Sequence, residues 1–175
     1  MQGPRDPMIV IALGSNLSSH AGAPKNTLAA TLARLADNEV RLRKVSRFYQ
    51  SIAWPDPRDP SFVNAVAIIE TDRDPQSLMA LLHETEDAFG RVRGARNAPR
   101  TLDLDLIDYN GRVEAGPPVL PHPRIETRGF VLIPLREIAP RWRHPASGAA
   151  IDDLIMALPD DARAVTPLDA SKRRL

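Results

Sequence analysis

Asp103 and Asp105 are the residues best placed to do chemistry, within the run Thr101-Leu-Asp-Leu-Asp-Leu106. Side chains of an extended strand point alternately to opposite faces. Leu102, Leu104 and Leu106 therefore share one face and the two aspartates the other, their Cα atoms ~6.5–7 Å apart. Two such carboxylates repel unless a cation, an arginine or a shared proton lies between them. Mg²⁺ prefers carboxylate oxygens, keeps waters and binds substrate phosphates as well. A bare D-x-D also suits a half-exposed strand with an acidic outer face. The basic residues upstream, Arg91, Arg93, Arg96 and Arg100, favour the chemical reading. They exceed what two carboxylates need, and they fit a polyphosphate held between guanidinium forks and a carboxylate-bound metal.

Other residues can join this site or serve only the core. His122 and Arg128 flank a turn downstream and can add phosphate contacts. Phe62 and Phe130 suit either two core aromatics or the walls of a slot for a planar ligand. Asn64 shares a strand face with Phe62, and a buried amide there needs partners that a heterocycle edge can supply. Trp54 lies in Ala53–Ser61, a loop with Pro55, Pro57 and Pro60 that cannot be regular structure.

The elements that must hold these groups follow from periodicity. Met8–Leu13 reads as a buried strand, with Gly14 and Asn16 turning the chain toward a helix from Lys25 to Asp37. Val40 to Ser51 reads as one half-exposed strand, paired with the β-branched run Phe62–Glu70. Asp74-Pro75 caps a helix that Gly90 ends. The acidic strand comes next, then helices over Phe130–Ile138 and Ile151–Leu158. Asp108 falls on the leucine parity and outside the site. The order β-α-β-β-α-β predicts an α+β, ferredoxin-like three-layer α/β/α sandwich with a mainly antiparallel sheet. Residues 8–158 form a single domain in this reading, with 1–7 and 159–175 as flexible or loosely packed ends. That fold alone decides nothing about function.

Composition narrows the classes. The 175 residues carry a net charge of +1, which gives no global case for nucleic-acid or membrane binding. Zero cysteines exclude disulfides, thiolate catalysis and thiolate metal sites. With no signal-peptide pattern and no apolar run of spanning length, the expected location is the cytoplasm.

Leu13-Gly-Ser-Asn16, Phe62-Val-Asn64, Arg91-Val-Arg93, Pro99-Arg-Thr-Leu-Asp-Leu-Asp105, Pro121-His122 and Arg128-Gly-Phe130 occur in this order. Together they closely resemble the 6-hydroxymethyl-7,8-dihydropterin pyrophosphokinases of folate biosynthesis over residues 8–158. The resemblance implies diphosphate transfer from ATP to the pterin hydroxymethyl group, with release of AMP, by a monomer needing no nucleic acid or membrane. It implies that Asp103 and Asp105 hold two Mg²⁺ ions and that Arg91 and Arg100 follow the transferring phosphates. It also implies ATP contacts from Arg93, Arg100, His122 and Arg128, and from Glu86 near the nucleoside. Ser51, Ile52, Trp54, Phe62, Asn64 and Phe130 match the pterin site. Three departures stand out: Ser51-Ile52 where Thr-Pro is common, Asn97-Ala98 where Trp-Gly is common, and Pro117-Pro118 where a basic residue is common. An RNA-binding module on the same fold is disfavoured, because two aspartates on the sheet would repel a phosphate backbone. A metal-dependent phosphohydrolase could use the same aspartates.

Overall fold

The computed structural model describes residues 7–169; the expectation of loose ends at 1–6 and 170–175 lies outside the described residues. One sheet runs through the molecule, in the order β5 (Asp103–Tyr109), β1 (Ile9–Ser15), β4 (Phe62–Glu70), β3 (Tyr49–Ser51), β6 (Val165–Pro167). β2 (Arg41–Val45) also pairs with β4, beside β3 on the same edge, and all these pairings are antiparallel. With β2 and β3 counted as one broken strand, this is the expected ferredoxin-like order.

Both faces of the sheet are covered. Alternate residues of β1 explain why: Ile9, Ile11 and Leu13 enter one apolar cluster, while Val10 and Ala12 enter the other. The first cluster is closed by Leu28 and Leu35 of α1 (Pro24–Asp37) and by Leu78, Leu81 and Leu82 of α2 (Pro75–Ala88). Leu102, Leu104 and Leu106 lie in it, as the alternation predicts. The second is closed by Val131, Leu132 and Leu135 of α3 (Gly129–Ile138) and by Ile151 and Leu154 of α4 (Ile151–Ala157). Burying each such leucine contributes ~1.5–3 kcal/mol, so the acidic strand is anchored firmly from behind.

Local chemistry sets the element ends. Asp74 accepts from the Ser77 amide at 2.7 Å and starts α2, with Pro75 at the first helical position. Gly90 follows α2 with φ of +77°, a conformation that glycine adopts without cost.

Four expectations are corrected. The single strand over Val40–Ser51 is two, because Ser46 interrupts it: its amide and hydroxyl both pair with the Val66 backbone. Gly14 does not turn the chain; β1 runs on through Ser15. Asp108 does not share the leucine face, because the register shift between Val10 and Ile11 leaves Ile107 extra and turns Asp108 toward α3. There its carboxylate accepts from the Trp142 indole at 2.8 Å and from the Gly111 amide at 2.9 Å. Nor are all residues after Leu158 loosely packed. Asp160–Arg163 forms the short α5, and β6 pairs with β3 through Ser51↔Val165. The reason is complementarity at Gly129, which has no side chain and so admits the Ala162 carbonyl against α3.

Candidate active site

β5 carries Asp103 and Asp105 to one end of the sheet, where α3 begins and the Arg91–Pro99 segment crosses. Both carboxylates are partly exposed, and each is flanked by basic groups. Asp103 Oδ1 lies 2.6 Å from Arg91 Nη1, and its Oδ2 lies 3.3 Å from Arg100 Nη1. Asp105 Oδ2 lies 2.6 Å from Arg128 Nη1, and its Oδ1 lies 3.7 Å from His122 Nε2. The repulsion expected of the acidic pair is thus met by arginines. Burial lowers the His122 pKa against the pull of Asp105, with Arg128 and Arg124 lowering it further.

A cavity of about 700 Å³ opens beside these carboxylates. Asp103, Asp105, Arg100 and Arg128 line one part of it. Ser51, Ile52, Trp54, Phe62, Asn64 and Phe130, the six residues assigned to the pterin, line it too. Asn64 is 3% exposed, and its Nδ2 donates to Ser51 Oγ at 2.9 Å, which fixes the amide. A Cβ on Gly14 would stand 3.4 Å from Asn64 Oδ1 and 3.7 Å from the Phe62 ring, so glycine there leaves the floor open. Trp54 and Ile52 are 69% and 62% exposed, apolar surface at the rim that a ligand can cover. The guanidinium of Arg100 lies 5.8 Å from the Phe62 ring centre and that of Arg128 5.5 Å from the Phe130 ring centre. These contacts tie the aromatic walls to the charged groups.

A second cavity, of about 280 Å³, is enclosed by residues 91–100 together with Arg124. Arg91, Arg93, Arg96 and Arg100 all line it, so the basic loop does form one cationic hollow next to the aspartates.

Glu86, matched by the resemblance to a residue near the nucleoside, is a buried carboxylate engaged by the protein itself. It is 2% exposed, lies on α2 and lines neither cavity. Its Oε1 accepts from the Leu104 amide and from Arg91 Nη1, both at 2.8 Å, and its Oε2 from Arg93 Nη2 at 3.2 Å. Burial raises its pKa, opposed by the Leu104 bond and by Arg91. Its carboxylate anchors the arginine loop to β5.

Three contributors were given no site role from the sequence. Asn16 bonds to the backbone of both loops around the site. Arg124 lines both cavities. Pro159, Asp161, Ala162, Ala164 and Val165 form a wall of the larger one. Only Asn16 left a trace, since an asparagine directly after a buried strand is itself a candidate for burial and must then find partners.

The donor set suits a hard cation. The two carboxylates reach the same cavity from one strand face, and among the described residues no third acidic, His or Cys side chain joins them as a metal cluster. A Mg²⁺ ion held by two carboxylates draws its remaining ligands from phosphate oxygens and water.

An acidic pair, a cationic hollow and an apolar slot at one sheet end are the parts that phosphoryl-type transfer calls for. A family model described as 7,8-dihydro-6-hydroxymethylpterin-pyrophosphokinase matches residues 10–140, and the chain belongs to that family. A 2-amino-4-hydroxy-6-hydroxymethyldihydropteridine pyrophosphokinase of Synechocystis is 37% identical over 161 residues, 91% of this chain and 79% of the relative. Its namesake from Pseudomonas aeruginosa is also 37% identical, over 86% of this chain and 91% of the relative. Among solved structures, a Plasmodium falciparum HPPK-DHPS is superposable with a TM-score of 0.64 at 11% identity, over 88% of this chain and 45% of that longer one. That likeness concerns the fold. No helix among the described residues is long and apolar enough to cross a membrane.

Proposed function

We propose that this protein transfers the terminal diphosphate of ATP to the hydroxymethyl oxygen of 6-hydroxymethyl-7,8-dihydropterin, releasing AMP, as a step of folate synthesis. One observation carries the reading: Asp103, Asp105, Arg100 and Arg128 share a single cavity with Phe62, Asn64 and Phe130. The acceptor alcohol and the β-phosphorus can therefore meet without either substrate leaving its own contacts.

In this reading the pterin ring lies flat between Phe62 and Phe130, and Asn64, oriented by Ser51, pairs with its edge. Ile52 and Trp54 cover it from the rim. Asp103 and Asp105 would hold two Mg²⁺ ions together with the phosphates, which would supply charge neutralisation and acidification of the acceptor hydroxyl. Arg91, Arg93, Arg96 and Arg100 surround the triphosphate from the loop side, while His122 and Arg128 approach from the turn before α3. The arginines now paired with carboxylates exchange them for phosphate oxygens, a like-for-like swap of fork partners. The hydroxyl oxygen then bonds to the β-phosphorus in line as the oxygen bridging to the α-phosphorus departs with AMP and the hydroxyl proton is lost. No covalent group on the protein is required, only alignment and charge compensation. Closure of the loops at 53–61 and 91–99 excludes water that would otherwise hydrolyse ATP. The protein acts in this reading as a monomer in the cytoplasm, where ATP is available.

Incubation with ATP, Mg²⁺ and the dihydropterin tests the proposal. The expected result is AMP in amounts equal to the diphosphorylated pterin, and only when the pterin is supplied. Orthophosphate released without it would point to a phosphohydrolase and reject the transfer.

A further inference from the structure

Asn16 stands where the two loops around the site meet. It is 4% exposed, and both ends of its side-chain amide are engaged. Oδ1 accepts from the Arg100 amide at 2.7 Å, and Nδ2 donates to the Pro60 carbonyl oxygen at 3.0 Å. The Arg100 carbonyl in turn accepts from the amides of Asn16 at 3.1 Å and Leu17 at 3.2 Å. Pro60 closes the segment that carries Trp54, and β4 begins shortly after it with Phe62. Arg100 touches Asp103 and lies over Phe62. A single buried amide thus joins the backbone of the rim loop to the backbone of a cavity arginine.

We propose that Asn16 is a positioning residue that couples the 53–61 loop to Arg100, so that occupation of either half of the site orders the other. The identity of the two ligands rests on the pyrophosphokinase reading above; the coupling rests on the amide geometry. A buried asparagine can also serve only to satisfy backbone groups. Here neither partner belongs to the sheet, and both sit in segments that line a cavity. The bonds therefore link two cavity-lining segments outside the sheet, so a ligand that shifts one alters the contacts of the other, the condition for transmitting a free-energy difference between sites.

The two halves of the amide can be separated. Asn16→Asp keeps an acceptor for the Arg100 amide and loses the donor to Pro60. It should raise the pterin KM about tenfold, leave the ATP KM within about twofold and keep kcat within about threefold. Asn16→Ala removes both bonds and should also lower kcat by about a hundredfold. Losses of thermal stability in both variants with no such split between KM and kcat would mark a purely structural role and overturn the proposal.

A second readout needs no turnover. Mg²⁺ with α,β-methylene-ATP, a non-hydrolysable analogue, should alter Trp54 emission in the wild type, with Trp54→Phe assigning the signal. In Asn16→Asp that response should shrink by about threefold or more while analogue affinity stays within about twofold. An equal response in Asn16→Asp, or none in the wild type, overturns the coupling. Failure of the analogue to bind at all overturns the pyrophosphokinase reading instead. Where the variants do not fold, hydrogen exchange in the wild type decides: 6-hydroxymethylpterin should slow exchange of the Arg100 amide, and unchanged exchange overturns the proposal.

Discussion

Arg128 donates to Asp105 at 2.6 Å from the first turn of the α3 region, while its guanidinium also faces the Phe130 ring at 5.5 Å. One side chain therefore touches the acidic strand and the aromatic wall together. Arginine suits this place because its planar fork matches a carboxylate or phosphate edge and its flat face stacks on a ring. The contact compensates the charge of Asp105.

Asp105→Asn keeps the shape and removes the charge that a metal ion needs. Turnover should fall by about a thousandfold or more, equivalent to ~4 kcal/mol of lost transition-state stabilisation. The folded state should be little affected, since Arg128 can still bond to an amide oxygen. Steady-state AMP production, with circular dichroism as a folding control, checks this; turnover near wild type would remove Asp105 from the metal site.

Asn64→Ala deletes the amide that faces the slot and leaves Ser51 Oγ without its 2.9 Å partner. Pterin binding should weaken by ~1–3 kcal/mol, the cost of an unmade buried hydrogen bond. ATP affinity should be nearly unchanged, because the arginine hollow is built from other residues. Calorimetric titration with each ligand separates the two, and equal weakening of both would argue against edge recognition.

Gly129→Ala tests the wall formed by residues 159–165. A Cβ there would lie 1.8 Å from the Ala162 carbonyl oxygen, well inside contact distance, so α5 must be displaced. A loss of ~1–3 kcal/mol is expected, as for other overpacked sites, along with a wider cavity and poorer pterin affinity. Denaturant unfolding measures the first effect and ligand titration the second; unchanged values in both would deny α5 its place in the wall.

Asp74 gives a pH signature outside the site. Its bonds to Ser77, chiefly the backbone amide, hold its carboxyl below the usual aspartate range. A depressed folded-state pKa means that the unfolded chain binds the proton more readily. The ion's contribution is therefore present above the unfolded value and lost as pH falls through the folded one. Compared with Asp74→Asn, which caps without titrating, the wild type should gain stability at neutral pH and lose that advantage in acid. A difference in denaturant midpoint that stays constant from neutral pH to about pH 3 would contradict this.

What the sequence made legible was what depends on spacing alone. The alternation around Asp103 and Asp105 placed the leucines in the core and the aspartates in the cavity, because β5 is regular over that stretch. Asp74-Pro75 marked a helix start because the cap bond is local. Features that depend on distant partners stayed hidden. The break at Ser46 answers to Val66, the turn of Asp108 toward α3 answers to the shift opposite β1, and β6 answers to β3. Glu86 shows the same limit: its spacing to Arg91 is plain, but not that burial and the Leu104 amide consume its carboxylate.

The pairing of β6 with β3 has a consequence for how the protein is made. Val165 meets Ser51 across a separation of roughly a hundred residues, and contacts this far apart in the chain close late. The arginine hollow and the acidic strand can form while synthesis is still under way. The larger cavity acquires its last wall only after residues 159–167 have left the ribosome, so its shape is completed last.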